Sequence, residues 1–312
     1  MALIHILYYK LIIGGVKLEG LCVCNIASNS LSFIDISNYN TFSCPIVLGE
    51  CPSGPHEICL WKEFIVTANS YSNSISFVSI KDKKEIKNIY VGAHPSDVKV
   101  YLNKIYVLCG ESNSLVIYDL IEERVVKEIS LDLHPHCIDI CKNGLASVAN
   151  MQSNKVSIID CNKDMKVKDI LVGELPTKCR ISEDEEYVTV CESNLGMGVK
   201  GKITQYNIKS GEKTFQYKVG YSPVDFLNKD EKIYVSNFEE GSISIIDLKL
   251  KKIEKISIGG MPRGIALEKG RIYVADNYKN KLIVINNNDK TLEKTITLGR
   301  EPNAMVYYNL LD

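Results

Sequence analysis

The element G-x-x-P recurs through most of the chain, opening at Gly92, Gly173, Gly220, Gly259 and Gly299 and closing at Pro95, Pro176, Pro223, Pro262 and Pro302. Two degenerate copies, Asp132-Leu133-His134-Pro135 and the stretch from Cys51 to Pro55, complete the set. The closing prolines stand at 55, 95, 135, 176, 223, 262 and 302, so successive spacings are 40, 40, 41, 47, 39 and 40. A fixed period of this length is the signature of a repeat architecture. Within each period the pattern is β. Residues 271–276, 281–285 and 294–298 are short runs rich in β-branched and aromatic residues, separated by Asn, Gly, Lys and Asp. Such runs between turn residues are strand signals. They recur at 232–237, 242–247 and 253–258, and again at 104–109, 114–119 and 124–129. A further run follows each proline, as at 96–101. Four strands in a period of about 40 residues make a propeller blade.

Six such units lie between Pro55 and Pro302, and the seventh is split between the chain ends. Residues 21–25, 31–35 and 45–48 supply three of its strands, and 303–308 supply the innermost one. The expected fold is therefore all-β: a seven-bladed β-propeller of four-stranded blades, closed by the C-terminal strand joining the N-terminal blade. Closure by the chain ends leaves no open seam in the ring.

Composition bounds the rest. Lys and Arg total 37 against 38 Asp and Glu, a formal net charge of -1, which argues against a nucleic-acid or anionic-membrane surface. A hydrophobic fraction of 45% with 24% charged residues is ordinary for a globular chain and excludes disordered and fibrous classes. The 11 cysteines are odd in number and form no C-x-x-C pair. Free thiols fit a reducing compartment, so a cytoplasmic location is expected. Residues 2–13 are apolar-rich but interrupted by His5, Tyr8, Tyr9 and Lys10. The run is shorter than the roughly 20 residues of a spanning helix, and it lacks the flanks of a signal peptide. Residues 13–16 (Ile-Gly-Gly-Val) can also be encoded by a purine-rich stretch resembling a bacterial ribosome-binding site, with Leu18 as a UUG start. The domain expectation is an N-terminal extension over 1–20, untranslated or disordered, and a single propeller over 21–312.

The repeats carry a family resemblance. Tyr234-Val235-Ser236-Asn237, Ile272-Tyr273-Val274-Ala275-Asp276 and Ile105-Tyr106-Val107-Leu108-Cys109 resemble the YVTN repeat, followed by S/N-N-S/K-x-x-I-I-D and then G-x-x-P. The match spans residues 21–308, nearly the whole chain. YVTN-repeat propellers are similar to streptogramin-lyase-like, surface-layer-protein-like and quinoprotein-dehydrogenase-like propellers. The resemblance implies a seven-bladed ring, often used for binding or scaffolding. It implies no single reaction, since one fold hosts many functions.

Aligning the blades separates packing from chemistry. One position before the Asn/Asp that ends the second strand reads Cys24, Ala68, Cys109, Ala149, Cys191, Ser236 and Ala275. Small residues throughout imply close approach of a neighbouring blade, and a free Cys serves as a small hydrophobe. Cys179 shares its position with Val98, Ile138, Phe226, Ile265 and Met305 and is read as core. Asn25, Asn69, Asn150, Asn237 and Asp276 are expected to bond their own turns, as are Asp35, Asp119, Asp160 and Asp247. Trp61 is assigned to the propeller wall.

The two residues after each proline differ from blade to blade and should ring one mouth of the central channel: His56/Glu57, Ser96/Asp97, His136/Cys137, Thr177/Lys178, Val224/Asp225, Arg263/Gly264 and Asn303/Ala304. Variable polar positions on a rigid scaffold are where binding groups concentrate. The candidate ligand-binding set is His56, Glu57, Asp97, His136, Lys178, Asp225, Arg263 and Asn303. Acids in blades two, three and six face bases in five and seven, a divided field suited to a polar or zwitterionic ligand. His56 and His136 with a carboxylate also form a metal set for zinc, manganese or magnesium. Against that set, their blades are not adjacent, and His94 and His134 are expected to point outward. No phosphate-loop, nucleophile-elbow, H-E-x-x-H or haem-attachment motif occurs. The glycine-rich stretch Gly196–Gly201 lies in the one stretched interval and is read as a long hairpin loop, a lip over the ring.

The leading functional expectation is a monomeric, non-enzymatic binding or scaffold propeller, without cofactor, that presents its channel mouth to a protein or a small polar ligand. The alternative is a lyase or hydrolase of streptogramin-lyase-like or lactonase-like type that depends on a divalent metal.

Overall fold

A computed structural model describes residues 18–310. Seven four-stranded antiparallel sheets stand around a central channel. Blade 1 joins β1 (Leu18–Asn25), β2 (Ser30–Asp35) and β3 (Thr41–Pro45) to the last strand, β28 (Pro302–Leu310), in the order β28-β1-β2-β3. The other innermost strands are β4 (Pro55–Trp61), β8 (Pro95–Tyr101), β12 (Pro135–Ile140), β16 (Pro176–Ile181), β20 (Pro223–Lys229) and β24 (Pro262–Glu268). They open blades 2 to 7 in turn. Each innermost strand touches both of its neighbours around the ring, and β28 closes it by packing between β24 and β4. The seven-bladed expectation and the split closing blade are both what the structure shows.

Each repeat proline is the first residue of an innermost strand, where its missing N–H interrupts no ladder. The residue before it is left-handed in most blades: Gly54 (φ 59°), His94 (52°), His134 (54°), Leu175 (50°), Ser222 (49°) and Glu301 (55°). For a non-glycine residue this conformation costs about 1–2 kcal/mol, so something must hold it. The holder is an asparagine of the preceding blade. Oδ1 of Asn73 accepts from His94 N at 2.9 Å, Asn113 from His134 N at 2.8 Å, Asn154 from Leu175 N at 3.0 Å and Asn280 from Glu301 N at 2.9 Å. Asn29 does the same for Gly54 N at 3.0 Å. The asparagine of the S/N-N-S/K element is thus a link between blades.

Each blade presents its central strands to neighbours on both faces. Residues 105–109 are all fully buried, which explains why these runs are continuously apolar rather than alternating. The core is accordingly seven clusters, each shared by two adjacent blades. The small-residue position is buried in every blade. Cys24 Sγ donates to His56 O of the next blade, and Cys191 Sγ to Pro223 O. All eleven cysteines are free, and nine are buried. Trp61 stacks on Phe64 and meets Phe77 edge-on, as a wall residue.

Two expectations are corrected. Asn25, Asn69 and Asn237 do not chiefly bond their own turns. Their Nδ2 groups donate to serine hydroxyls on the next strand: Ser30 and Ser32, Ser74 and Ser76, Ser242 and Ser244. A fully buried amide needs such partners. The aspartates ending the third strand do bond their turns, as Asp35, Asp119, Asp160 and Asp247 show. The ring also begins earlier than residue 21: Leu18, Glu19 and Gly20 pair with Leu310, Asn309 and Tyr308. The rest of the expected 1–20 extension lies outside the described residues.

Deleting residues 302–312 removes the strand that seals two of the seven clusters, including buried Ala304 and Tyr308. At about 1.5–3 kcal/mol per large buried apolar side chain, the truncated chain should lose its cooperative thermal transition or become insoluble. Circular dichroism melting checks this; an unchanged melting temperature would show that β28 does not close the ring.

Candidate functional site

A β-bulge follows each repeat proline. In blades 2 to 6 the register slips between the proline and the second residue after it, and in blade 7 between Pro262 and Ile265. The same irregularity lies between Val23 and Asn25 opposite β28. A bulge takes a residue out of the ladder and re-aims its side chain. The re-aimed residues are His56, Ser96, His136, Thr177, Val224, Arg263 and Asn303.

Six of these seven reach forward to the next blade. Asn303 Nδ2 donates to His56 O at 2.7 Å, His56 Nδ1 bonds Ser96 O at 2.9 Å, and Ser96 Oγ donates to Pro135 O at 2.8 Å. His136 Nδ1 bonds Thr177 O at 2.8 Å, Thr177 Oγ1 donates to Pro223 O at 3.3 Å, and an Arg263 guanidinium N–H donates to Asn303 Oδ1 at 3.1 Å. Val224 is the one apolar break. A carbonyl can only accept, so both histidines must carry their proton on Nδ1, and Nε2 keeps its lone pair. Burial lowers both imidazoles, His56 to about 4 with help from Arg263, and His136 to about 3 with help from His56. They are neutral at pH 7.

The belt surrounds a chamber of about 160 Å³ at the channel mouth, lined by His56, Glu57, His134, His136, Met151, Thr177, Lys178, Leu195, Val224, Asp225, Arg263, Gly264, Asn303 and Ala304. Curvature of the ring brings blades 2 and 4 together: the His56 and His136 rings stand 5.8 Å apart, edge to face. The expectation that non-adjacent blades keep them apart is corrected. His134 is not turned outward either; it stacks on His136 at 6.3 Å and lines the chamber. His94 is half-buried, with its Nδ1 enclosed.

The floor is ionic. Lys178 crosses the channel to Glu57, Nζ to Oε1 at 2.7 Å, and lies 3.9 Å from Asp225. Burial opposes both charges, but Glu57 holds the ammonium well above its usual range, and Lys178 with Lys99 brings the Glu57 carboxyl net downward. Asp225 is raised, because burial outweighs Lys178 and Arg180. Below this floor lies a second chamber of about 190 Å³, lined among others by Lys99, Asp139, Arg180, Cys137 and Cys179. The divided field expected from the sequence is therefore largely cancelled inside the channel. Asp97 lines neither chamber. It is buried between blades 3 and 4, accepting from Val98 N, Ile138 N and Lys99 Nζ.

Arg263 differs from the other cations of the mouth. Among the described residues it has no carboxylate partner within ion-pair distance, its Nε is buried without a hydrogen-bond partner, and its guanidinium lies 4.8 Å over the Phe238 ring. Phe238 and Met151 share a position that the candidate set missed: the residue after the second-strand Asn, whose N–H bonds the carbonyl before the repeat proline. That position also varies by blade, so the alignment contained its signal. Leu195 brings the 194–200 loop to the chamber edge, as expected of a lip.

Two potential metal ligands, His56 and His136, are brought together, but a catalytic zinc takes three protein ligands. Among the described residues no group of three His, Cys, Asp or Glu is placed to hold a metal.

No protein-family model and no curated protein sequence matches the chain. Solved structures do match. Kuenenia stuttgartiensis hydrazine synthase superposes with TM-score 0.75 at 17% identity, over 83% of this chain and 90% of that one. A functionally unknown protein from Desulfotomaculum acetoxidans gives TM-score 0.74 at 11% identity, over 93% and 98%. A Bacteroides uniformis protein provisionally described as a 6-phosphogluconolactonase gives TM-score 0.74 at 12% identity, over 93% and 100%. At these identities the likeness is one of fold, and the class it defines is the seven-bladed β-propeller.

Lys178→Met should cost about 3–5 kcal/mol in urea unfolding, because it leaves Glu57 buried and uncompensated. Adding Glu57→Gln should recover a large part of that loss; no recovery would show the pair is not coupled. The histidines give a pH test. Their folded values lie below the unfolded 6.5, so the unfolded state binds more protons and stability falls as pH drops from about 6.5 toward 4. Each contributes a slope of up to about 1.4 kcal/mol per pH unit. The His56→Gln, His136→Gln double variant should flatten the curve over that range, with little change in slope above pH 7.

Proposed function

We propose that the chain is a non-enzymatic binding propeller of the YVTN-repeat kind, which receives a small polar ligand, or a polar loop of a partner protein, in its channel mouth. One observation carries the reading. After the forward-reaching belt is satisfied, the mouth still holds an Arg263 without a carboxylate and two imidazole Nε2 acceptors, all facing one chamber. Asn303, Ser96 and Thr177 are consumed by the belt; these three groups are not.

A monomeric state is part of the proposal. The outermost strands carry exposed charges, such as Lys252, Glu254 and Lys255 in blade 6 and Glu293 and Lys294 in blade 7, and charged edges resist strand-to-strand association. Free thiols support a cytoplasmic setting. Among the described residues no helix is long and apolar enough to cross a membrane, and the near-neutral charge supports partners other than nucleic acid.

The metal-dependent lyase or hydrolase reading keeps one supporting feature: the two imidazoles are oriented through Nδ1 with Nε2 free, as metal-binding histidines are. It ranks second because among the described residues no third protein ligand joins the two histidines. Metal analysis of untagged protein separates the two readings; stoichiometric divalent metal, lost in a His56→Ala, His136→Ala variant, would favour the enzyme.

For the binding reading, the half-buried Val224 offers a blocking site with no belt bond to lose. Untagged wild-type protein incubated with cell extract, washed and denatured should release a bound molecule at near-stoichiometric amount, or retain a partner protein. Val224→Trp should retain it at least tenfold less while keeping its circular dichroism spectrum. Equal retention by both would place binding elsewhere.

A further inference from the structure

We propose that the mouth chamber recognises a small amino-carboxylic acid, its carboxylate on Arg263 and its ammonium on His56 and His136; this rests on the binding reading above.

The size comes from the cavity. A chamber of about 160 Å³ is close to the cavity of roughly 150 Å³ that encloses benzene. The ligand, or the part of it inside, therefore has roughly six to eight non-hydrogen atoms, the scale of a small amino acid.

The anionic end follows from Arg263. Its guanidinium stays charged at all relevant pH, presents five donors in a planar fork, and gives one of them to Asn303. It stacks on Phe238 rather than pairing with an acid. A planar fork that is fixed on one side and unpaired on the other matches a carboxylate in two-point contact. Lys178, the other cation of the chamber, is already held by Glu57 and Asp225 and cannot leave without stranding them.

The donor end follows from the histidines. Both Nδ1 atoms are committed to backbone carbonyls, so both Nε2 atoms accept. The rings meet edge to face at 5.8 Å and both line the same chamber, so one group resting against the pair from the chamber side can serve both. A hydroxyl has one hydrogen to give, whereas an ammonium has three. The ammonium also answers Glu57, whose Oε1 accepts from Lys178 and whose second oxygen has no hydrogen-bond partner among the described residues. The arrangement therefore selects a molecule carrying both charges over one carrying either alone.

The test is calorimetric titration of the full chain at pH 7.5 with glycine, alanine, serine, threonine and their D-enantiomers where they exist, set against glycolate, lactate, acetate, propionate, ethylamine and ethanolamine. At least one amino acid should bind, and its matched carboxylate, hydroxy acid and amine should each bind at least tenfold more weakly. Arg263→Met and the His56→Phe, His136→Phe pair should each weaken binding at least tenfold, with Arg263→Lys intermediate. Binding should hold from pH 7.5 down to about 5 and fade only around and below pH 4, where His56 and then His136 take up protons and repel an ammonium. Acetate or propionate binding as tightly as the amino acid would overturn the histidine half, and a preference for the hydroxy acid would overturn the ammonium. If no amino acid binds while Val224→Trp still abolishes retention of some other molecule, the ligand class is wrong and the mouth remains the site. If Val224→Trp retains everything that wild type does, the mouth itself is wrong.

Discussion

The ring depends on one repeated device: a left-handed residue, a proline and a bulge, which together turn a single side chain out of the ladder and toward the next blade. The asparagine of the preceding blade holds the left-handed residue from behind, and the turned-out side chain reaches forward to a carbonyl ahead. Blades share no sheet hydrogen bonds, so these links and the apolar clusters between blades are what register one sheet against its neighbour. A propeller with flat, unbulged inner strands would lack the forward contacts, because alternation would keep these side chains out of line with the next blade's carbonyls.

The same device creates the site. Every link consumes a donor, and what a residue has left after making its link is what it can offer a ligand. Serine, threonine and asparagine give their link and have little left. Histidine has two ring nitrogens and arginine five donors, so each retains capacity after bonding. The mouth is thus selective through surplus rather than through residues set aside for binding. Lys178 and Glu57 lie below the belt and act differently: their cross-channel pairing fills the middle of the ring and separates the two chambers, while Asp225 beside Lys178 also accepts from Phe226 N and from Ile265 N of the next blade.

Much of this was legible in the repeat. The proline period placed every innermost strand, the continuous apolar runs marked strands buried on both faces, and the blade alignment identified Cys24, Cys109 and Cys191 as packing residues. Of the post-proline residues, His56, Glu57, His136, Lys178, Asp225, Arg263 and Asn303 line the mouth chamber, whereas Asp97 does not. What the alignment did not show was the direction of each member. Asp97 and Glu57 occupy equivalent positions, yet Asp97 caps backbone N–H groups between blades while Glu57 enters the channel. A short carboxylate reaches the neighbouring strand and a longer one reaches across, a distinction set by packing around each side chain rather than by its place in the repeat.

The sequence by itself determined the number of blades, their strand pattern and the split closing blade. These follow from local periodicity, because alternation, turn residues and the spacing of prolines are properties of short segments. Only the tertiary structure decided which of the post-proline positions meet. His56 and His136 are 80 residues apart in the chain and Glu57 and Lys178 are 121 apart, yet each pair is in contact across the channel. Their contact is fixed by the curvature and closure of the whole ring, to which all seven blades contribute and which no single repeat contains.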